Sequence, residues 1–293
     1  MEHFEHFKNY LNEKGYRVTT VMCYIKDMRL FIKWTEKENI QTENSIYNEL
    51  LSFVNYLTEK GNNTHTINQK LNSLTHFFNY LVEIKARPDN PATALRIKNS
   101  IRKLPHDLLN KEALENIYTD YPANGITGKR NKSMLGLMIY QGATTAELAA
   151  IEVKDIRLEE GKVYLPATNR TNSRTLNLKA PQIIQLQNYL LMIRPVLLAM
   201  TEKTTDKLFM SSGKGNRLSN SFARLMVVIA RLNNRAINTK QIRASIITEW
   251  LKVYNIREVQ YMTGHRYVSS TGHYRTDKLE GLLEQLERLH PLE

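Results

Sequence analysis

The spacing of apolar residues changes along this chain of 293 residues, and that change constrains its fold more than any other feature. In residues 64–82, Ile67, Leu71 and Leu74 recur at intervals of three and four residues, which places them on one face of a helix. Comparable patterns occur in three more segments, residues 3–13, 18–35 and 45–58. The first hundred residues are therefore predicted to form a module of four helices.

Two prolines, Pro88 and Pro91, break this helical pattern and indicate a linker that ends near Pro105. Beyond it, helices are predicted at about 110–120, 128–142, 181–193, 217–232, 239–253 and 255–262. Short strands are predicted between them, at 153–158, 162–166 and 174–178. A leucine-rich segment at 279–289 is typical of a helix packed on its own core. The sequence thus predicts a mainly α protein with a small antiparallel β-sheet, divided into domains at 1–100 and 105–293.

The charge of the chain favours a polyanionic partner. It holds 41 basic and 29 acidic side chains, a net charge of +12. The first 100 residues hold 13 basic and 11 acidic side chains, whereas the rest hold 28 and 18. Nucleic acid is the first candidate, bound mainly by the C-terminal part, although surplus lysine can also serve solubility alone.

The cysteine content and the start of the chain bear on its location. Cys23 is the single cysteine, so no internal disulfide is expected. The first 14 residues carry several charges, and we expect no apolar stretch near membrane-spanning length. The sequence lacks a glycine-rich phosphate loop and a His/Cys cluster. These features predict a cytoplasmic protein without a membrane partner, metal or cofactor.

The motifs in the last third of the chain are specific. Lys240-Gln241-Ile242-Arg243 is followed by Val259-Gln260-Tyr261-Met262-Thr263-Gly264-His265, and Tyr274 lies nine residues beyond His265. This order resembles the phage integrase and Xer-type tyrosine recombinase family, which carries His-x-x-Arg, then Val-Gln-x-x-x-Gly-His and a tyrosine nine residues later. The segment from Tyr140 to Leu148 resembles the family's Tyr-x-Thr-Gly-Leu-Arg-x-x-Glu-Leu box.

The resemblance implies a function and a site. The family cuts and rejoins DNA through a covalent phosphotyrosine, so Tyr274 would be the nucleophile, Arg243 a phosphate clamp and His265 a hydrogen-bond donor to the phosphate. Glu147 would support them. The fold would be a helical, SAM-like core-binding domain and a catalytic domain that clamp double-stranded DNA, with four subunits assembled on two sites and no metal or other cofactor.

The chemistry of such a reaction explains these residue types. Attack by a tyrosine hydroxyl on a phosphodiester increases the negative charge on the non-bridging oxygens, which cationic donors stabilise. Arginine is well suited because its planar group binds two oxygens at once. The leaving oxygen also needs a proton from an acid.

Three positions depart from the family pattern. Thr144 stands where the box has arginine, Lys240 stands where His-x-x-Arg has histidine, and the predicted hairpin tip, residues 168–174, has no lysine. Loss of one donor to a developing oxyanion typically costs about 10²–10³ in rate. We expect compensation, first by Lys240, and otherwise by Arg170 or Arg174 on a flexible, exposed hairpin.

The same residues are compatible with two alternative functions. Lys240 and Arg243 lie three residues apart and could form a basic ridge that binds DNA without chemistry. In that case the chain would be a catalytically degenerate DNA-binding accessory protein of the same fold. A type IB topoisomerase shares the tyrosine chemistry, but the two-domain layout and the leucine-rich tail favour the recombinase.

Overall fold

A computed structural model describes residues 2–98, 107–213, 215 and 217–275. The chain groups into two compact units, which we call the N-terminal unit, Met1–Arg102, and the C-terminal unit, Lys103–Glu293. Each has its own hydrophobic core.

The N-terminal unit is built from four helices, α1 (Glu2–Glu13), α2 (Val18–Lys37), α3 (Tyr47–Glu59) and α4 (Thr64–Glu83). Helix α4 begins where the Asn63 side chain accepts the Thr66 N–H, a typical N-cap. Its apolar stripe is buried against α2, because residues three and four apart share a helix face. The core contains many aromatic side chains, among them Phe7, Phe31, Phe53, Phe77 and Phe78.

The C-terminal unit contains the remaining elements in the following order. They are α5 (Lys111–Asp120), α6 (Gly125–Gln141), α7 (Thr145–Ala150), β1 (Ile156–Arg157), β2 (Lys162–Leu165), β3 (Arg174–Asn177), α8 (Ala180–Asn188), α9 (Arg194–Thr201), α10 (Ser219–Leu232), α11 (Thr239–Val253), α12 (Ile256–Thr263) and α13 (Val268–Gly272). The three strands form one antiparallel sheet in the order β1-β2-β3, with Leu165 opposite Arg174. The predicted fold class, mainly α with a small antiparallel sheet, is confirmed.

Several boundaries differ from the prediction. A 3₁₀ turn, Val153–Asp155, occupies the first half of the first predicted strand, so β1 has two residues. Helices α7 and α13 were not predicted, because each is too short to show an apolar repeat. The predicted linker end near Pro105 and the leucine-rich segment 279–289 lie outside the described residues.

The sequence predicted no apolar stretch near membrane-spanning length, and this prediction is wrong. The helix predicted to end at residue 193 continues through a π-helical turn, Tyr189–Ile193, into α9. In that turn the Arg194 N–H bonds the Tyr189 carbonyl, five residues earlier, which lets the helix pass Pro195. The resulting stretch, Ala180–Thr201, has 22 residues and a mean hydropathy of 1.4, so it meets the length and composition of a membrane span. One such helix is weak evidence, because core helices meet the same criteria.

Candidate active site

Helix α11 carries two of the predicted site residues near its start. The Asn238 side chain accepts the Gln241 N–H and so fixes where the helix begins. Lys240 lies exposed in the first turn, and Arg243 follows one turn later with a partly buried side chain. The shared helix therefore brings both cations to one end of α11.

The Arg243 guanidinium bonds backbone carbonyls. Nη1 donates to the carbonyl of Gly142, and Nη2 donates to that of Thr263 at 2.6 Å. No carboxylate forms an ion pair with Arg243 within residues 107–213 and 217–275. Burial lowers the pKa of Arg243 to about 10, so the group stays cationic at neutral pH. A partly buried cation of this kind is suited to bind an anion, since three of its five N–H groups remain available.

Gly142 permits this contact through its backbone conformation. It ends α6 with φ of +58°, in the left-handed region that favours glycine. A side chain there would also meet the Trp250 ring at 3.2 Å. The carbonyl that holds Arg243 is thus fixed by the end of α6.

Thr144 and Glu147 form the capping box of α7. The Thr144 hydroxyl accepts the Glu147 N–H at 3.2 Å, and the Glu147 carboxylate accepts the Thr144 N–H at 2.7 Å. The Thr144 hydroxyl also lies 3.0 Å from that carboxylate. The residue in the arginine position of the family box therefore serves the local helix.

Arg174 was expected on an exposed, flexible tip, and this expectation is wrong. It begins β3, its side chain is fully buried, and its Nη1 and Nη2 donate to the Glu147 carboxylate at 2.5 and 3.3 Å. Its Nε donates to the carbonyl of Met262 at 2.7 Å. The sequence pattern did not reveal this burial because Glu147 lies 27 residues earlier.

The Glu147 carboxylate neutralises Arg174. Burial raises the pKa of Glu147, but the hydrogen bonds and charge of Arg174, with the Thr144 N–H and the Thr171 hydroxyl, lower it by more. The net direction is below the ordinary value, so the carboxylate is charged at neutral pH. The Glu147–Arg174 pair contributes no net charge to the site. The positive charge beside it is that of Arg243.

The hairpin of β2 and β3 is attached to the segment after α12. The Asn172 N–H donates to the Gly264 carbonyl at 2.8 Å, and Thr171 forms a β-bridge with His265. Gly264 has φ of +69°, and a Cβ there would lie 2.6 Å from Arg174 Nη1. Arg170 is exposed at the tip. Of the two hairpin arginines, Arg170 alone matches the expected exposure.

His265 and Tyr274 lie side by side at the end of this segment. Their rings are nearly parallel, 16° apart, with centroids separated by 6.0 Å. His265 Nδ1 lies 2.9 Å from the hydroxyl of Thr271 in α13, and the Tyr274 N–H donates to the Thr271 carbonyl at 3.0 Å. Thr271 therefore contacts both residues.

The surroundings of His265 oppose its protonation. Burial, followed by the charges of Arg243 and Arg174, lowers its pKa to about 4. Tyr274 is close enough to Arg243 that a tyrosinate charge would raise the arginine pKa. The structure thus gathers Arg243, His265 and Tyr274 around one half-buried position, with Glu147 and Arg174 behind them.

The sequence motifs did not identify Thr271 as a site residue. Its position six residues after His265 was the available signal, and its complete burial became apparent only in the fold. Within the described residues, no group of three or more His, Cys, Asp or Glu side chains is arranged to hold a metal ion.

Comparison with known proteins agrees with the sequence motifs. Residues 107–280, more than half of the chain, match the phage integrase family. Residues 4–85 match the phage integrase N-terminal SAM-like domain.

Individual relatives are distant but match over nearly their full length. The chain is 25% identical to tyrosine recombinase XerC of Anoxybacillus flavithermus over 274 residues, 92% of this chain and 90% of the relative. It is 24% identical to tyrosine recombinase XerD of Haemophilus influenzae, covering 96% of this chain and 95% of the relative.

Solved structures share the fold. XerH recombinase bound to a palindromic difH substrate matches with a TM-score of 0.73 and 19% identity, covering 91% of this chain and 80% of that one. The Tn1549 transposon integrase matches with a TM-score of 0.68 and 15% identity, covering 97% of this chain and 99% of that one.

The predicted family, enzyme class and function, a tyrosine recombinase of site-specific recombination, are confirmed at the level of the family. The chain belongs to the phage integrase family.

Proposed function

We propose that this chain itself cuts and rejoins double-stranded DNA, with Tyr274 attacking the phosphodiester to form a covalent 3′-phosphotyrosine. The observation that carries the proposal is the convergence of Arg243, His265 and Tyr274 at one position. Arg243 is partly buried and bonded to carbonyls, so it is ready to bind a phosphate oxygen. A neutral His265 beside it can donate a hydrogen bond without adding charge.

Lys240 is the proposed second cation. Thr144 carries no charge, and the charge of Arg174 is neutralised by Glu147. A lysine in the first turn of a helix opposes the helix dipole, which typically costs about 0.3–1 kcal/mol. Binding of a DNA phosphate at this end of α11 would offset that cost. Arg170, exposed on the hairpin, is a weaker candidate because its position depends on a loop.

Glu147 is proposed to act through Arg174. The Arg174 guanidinium bonds both the Glu147 carboxylate of α7 and the Met262 carbonyl. The carbonyl of the next residue, Thr263, accepts a hydrogen bond from Arg243. The pair therefore supports the backbone that positions both Arg243 and His265.

The test is formation of a covalent adduct on a nicked, labelled duplex from the flanking DNA of the gene. The nick lets the cut fragment diffuse away, so that the adduct accumulates. The unaltered chain should yield an adduct that survives denaturing electrophoresis. Tyr274→Phe should abolish it with nearly unchanged duplex binding, because it removes only the nucleophilic oxygen.

Tyr267→Phe is a matched control for that variant. Tyr267 is 71% exposed and lies seven residues earlier, so its hydroxyl should be dispensable. An adduct that persists in Tyr274→Phe would place the nucleophile elsewhere.

A second candidate function is an accessory protein that binds DNA without cleaving it. Thr144 favours the accessory role, because its hydroxyl bonds the Glu147 carboxylate and supplies no positive charge to the site. Specific binding by the unaltered chain with no adduct at any pH would establish this alternative.

The assembly is part of the proposal. We infer that residues 1–100 form a DNA-binding domain and residues 105–293 the catalytic domain, and that they clamp the duplex. The DNA complexes of XerH and of the Tn1549 integrase, similar in fold, support a DNA partner. In the proposed assembly, four copies of the chain bind two DNA sites, and the proposed location is the cytoplasm.

A further inference from the structure

We propose that Thr271 is a positioning residue that sets the tautomer of His265, so that Nε2 carries the proton and serves as the donor. This inference rests on the proposed function for its consequence, but its structural content can be measured separately. Thr271 is fully buried, and its hydroxyl lies 2.9 Å from His265 Nδ1.

The direction of this hydrogen bond follows from counting donors. A threonine hydroxyl has one proton, and a buried polar proton is costly unless it has an acceptor. Within the described residues, His265 Nδ1 is the hydrogen-bond partner of this hydroxyl. The proton therefore points at Nδ1, which must be bare to accept it. A neutral imidazole has one N–H, so that N–H is on Nε2.

The opposite arrangement leaves a group unsatisfied. With the proton on Nδ1, Thr271 would accept, and its own proton would lack an acceptor among the described residues. Protonated His265 would have the same defect, because both ring nitrogens then donate. Thr271 thus acts in the same direction as burial, Arg243 and Arg174, which lower the pKa of His265, and against Glu147, which raises it.

Thr271 also links the donor to the nucleophile. Its carbonyl accepts the N–H of Tyr274 at 3.0 Å, while its hydroxyl faces His265. One residue of α13 therefore fixes the ring state of His265 and the backbone that carries Tyr274. With Nε2 as a donor, His265 is suited to stabilise a phosphate oxygen. With Nε2 bare, it would repel that oxygen and could instead accept the tyrosine proton.

The experiment measures the tautomer directly by ¹H–¹⁵N correlation spectra of ¹⁵N-histidine-labelled protein at neutral pH. The chain has eight histidines, so the His265 signals are assigned by their loss in His265→Gln. The unaltered protein should show a protonated Nε2 and a bare Nδ1. A protonated Nδ1 in the unaltered protein would overturn the proposal, and this arm needs no Thr271 variant to fold.

Two variants then test the role of the hydroxyl. Thr271→Val keeps the shape and removes the hydroxyl, so a mixture of tautomers should appear and adduct formation should slow by roughly two- to tenfold, the ratio expected for one net hydrogen bond. Thr271→Ser keeps the hydroxyl and should retain both the tautomer and the rate. A single Nε2–H tautomer in Thr271→Val would overturn the proposal.

Thr248→Val is the matched control. Thr248 is buried in α11, and its hydroxyl has no hydrogen-bond partner within the described residues. Its replacement should change neither the His265 spectrum nor the rate. Absence of any adduct from the unaltered chain would refute the proposed function while the spectra still decide the role of Thr271.

Discussion

Breaking the buried ion pair between Glu147 and Arg174 should strongly destabilise the C-terminal unit. Both side chains are fully buried, and two hydrogen bonds of 2.5 and 3.3 Å join them. Glu147→Gln keeps the size of the side chain but leaves the arginine as a buried cation without a countercharge. Removing one partner of such a pair typically costs about 3–5 kcal/mol. We expect a loss of free energy of unfolding in that range.

Two further variants separate the pair from its surroundings. Glu249→Gln is the control, because the Glu249–Lys252 pair lies in the same unit but is partly exposed, 22% and 54%. It should cost less than about 1 kcal/mol. Arg174→Met leaves the carboxylate uncompensated, whereas the double variant with Glu147→Gln removes both charges. The double variant should therefore cost clearly less than the sum of the two single losses.

Urea denaturation followed by tryptophan fluorescence is the assay. The chain has two tryptophans, Trp34 in the N-terminal unit and Trp250 in the C-terminal unit. In a Trp34→Phe background, Trp250 reports the C-terminal unit alone. A cost for Glu147→Gln within 1 kcal/mol of that for Glu249→Gln, or additive losses in the double variant, would refute a strongly coupled buried pair.

The remaining predictions concern the site. Lys240→Ala should slow adduct formation by about 10²-fold with little loss of DNA binding, as when a transition-state donor is removed; Thr144→Arg should restore part of this loss, and normal cleavage by Lys240→Ala would contradict the compensation. Gly264→Ala should lower the free energy of unfolding by about 2–4 kcal/mol, since it combines backbone strain with a clash. Gly161→Ala is the control: Gly161 has φ of +61°, and a Cβ there would lie 3.7 Å from its nearest neighbour, so this variant should incur the backbone strain alone. Equal losses of unfolding free energy for the two variants in a urea titration would rule out the clash at Gly264. Lowering the pH from 7 to 4 should cost the unaltered protein up to about 3 kcal/mol more than His265→Gln, because the unfolded histidine binds a proton near its ordinary pKa whereas the folded one resists it down to about 4. Equal losses in both proteins would show that His265 titrates normally.

The local sequence determined most helices and strands. Apolar repeats predicted α2 and α4 to within two residues of their ends, because a helix face is encoded by residues three and four apart. Alternation predicted β2 and β3 in the same way. Helix α9 was missed because Pro195 normally ends a helix, and the π-helical turn that accommodates it depends on the surrounding packing.

The sequence by itself also determined the family, because the order and spacing of Arg243, His265 and Tyr274 are a one-dimensional pattern. The tertiary structure decided what the polar side chains contact. Arg174 bonds a carboxylate 27 residues away and a carbonyl 88 residues away, and Arg243 bonds a carbonyl 101 residues away. Burial and hydrogen-bond direction arise from packing between distant segments, so local spacing could not indicate that Arg174 is neutralised or that Thr271 faces His265.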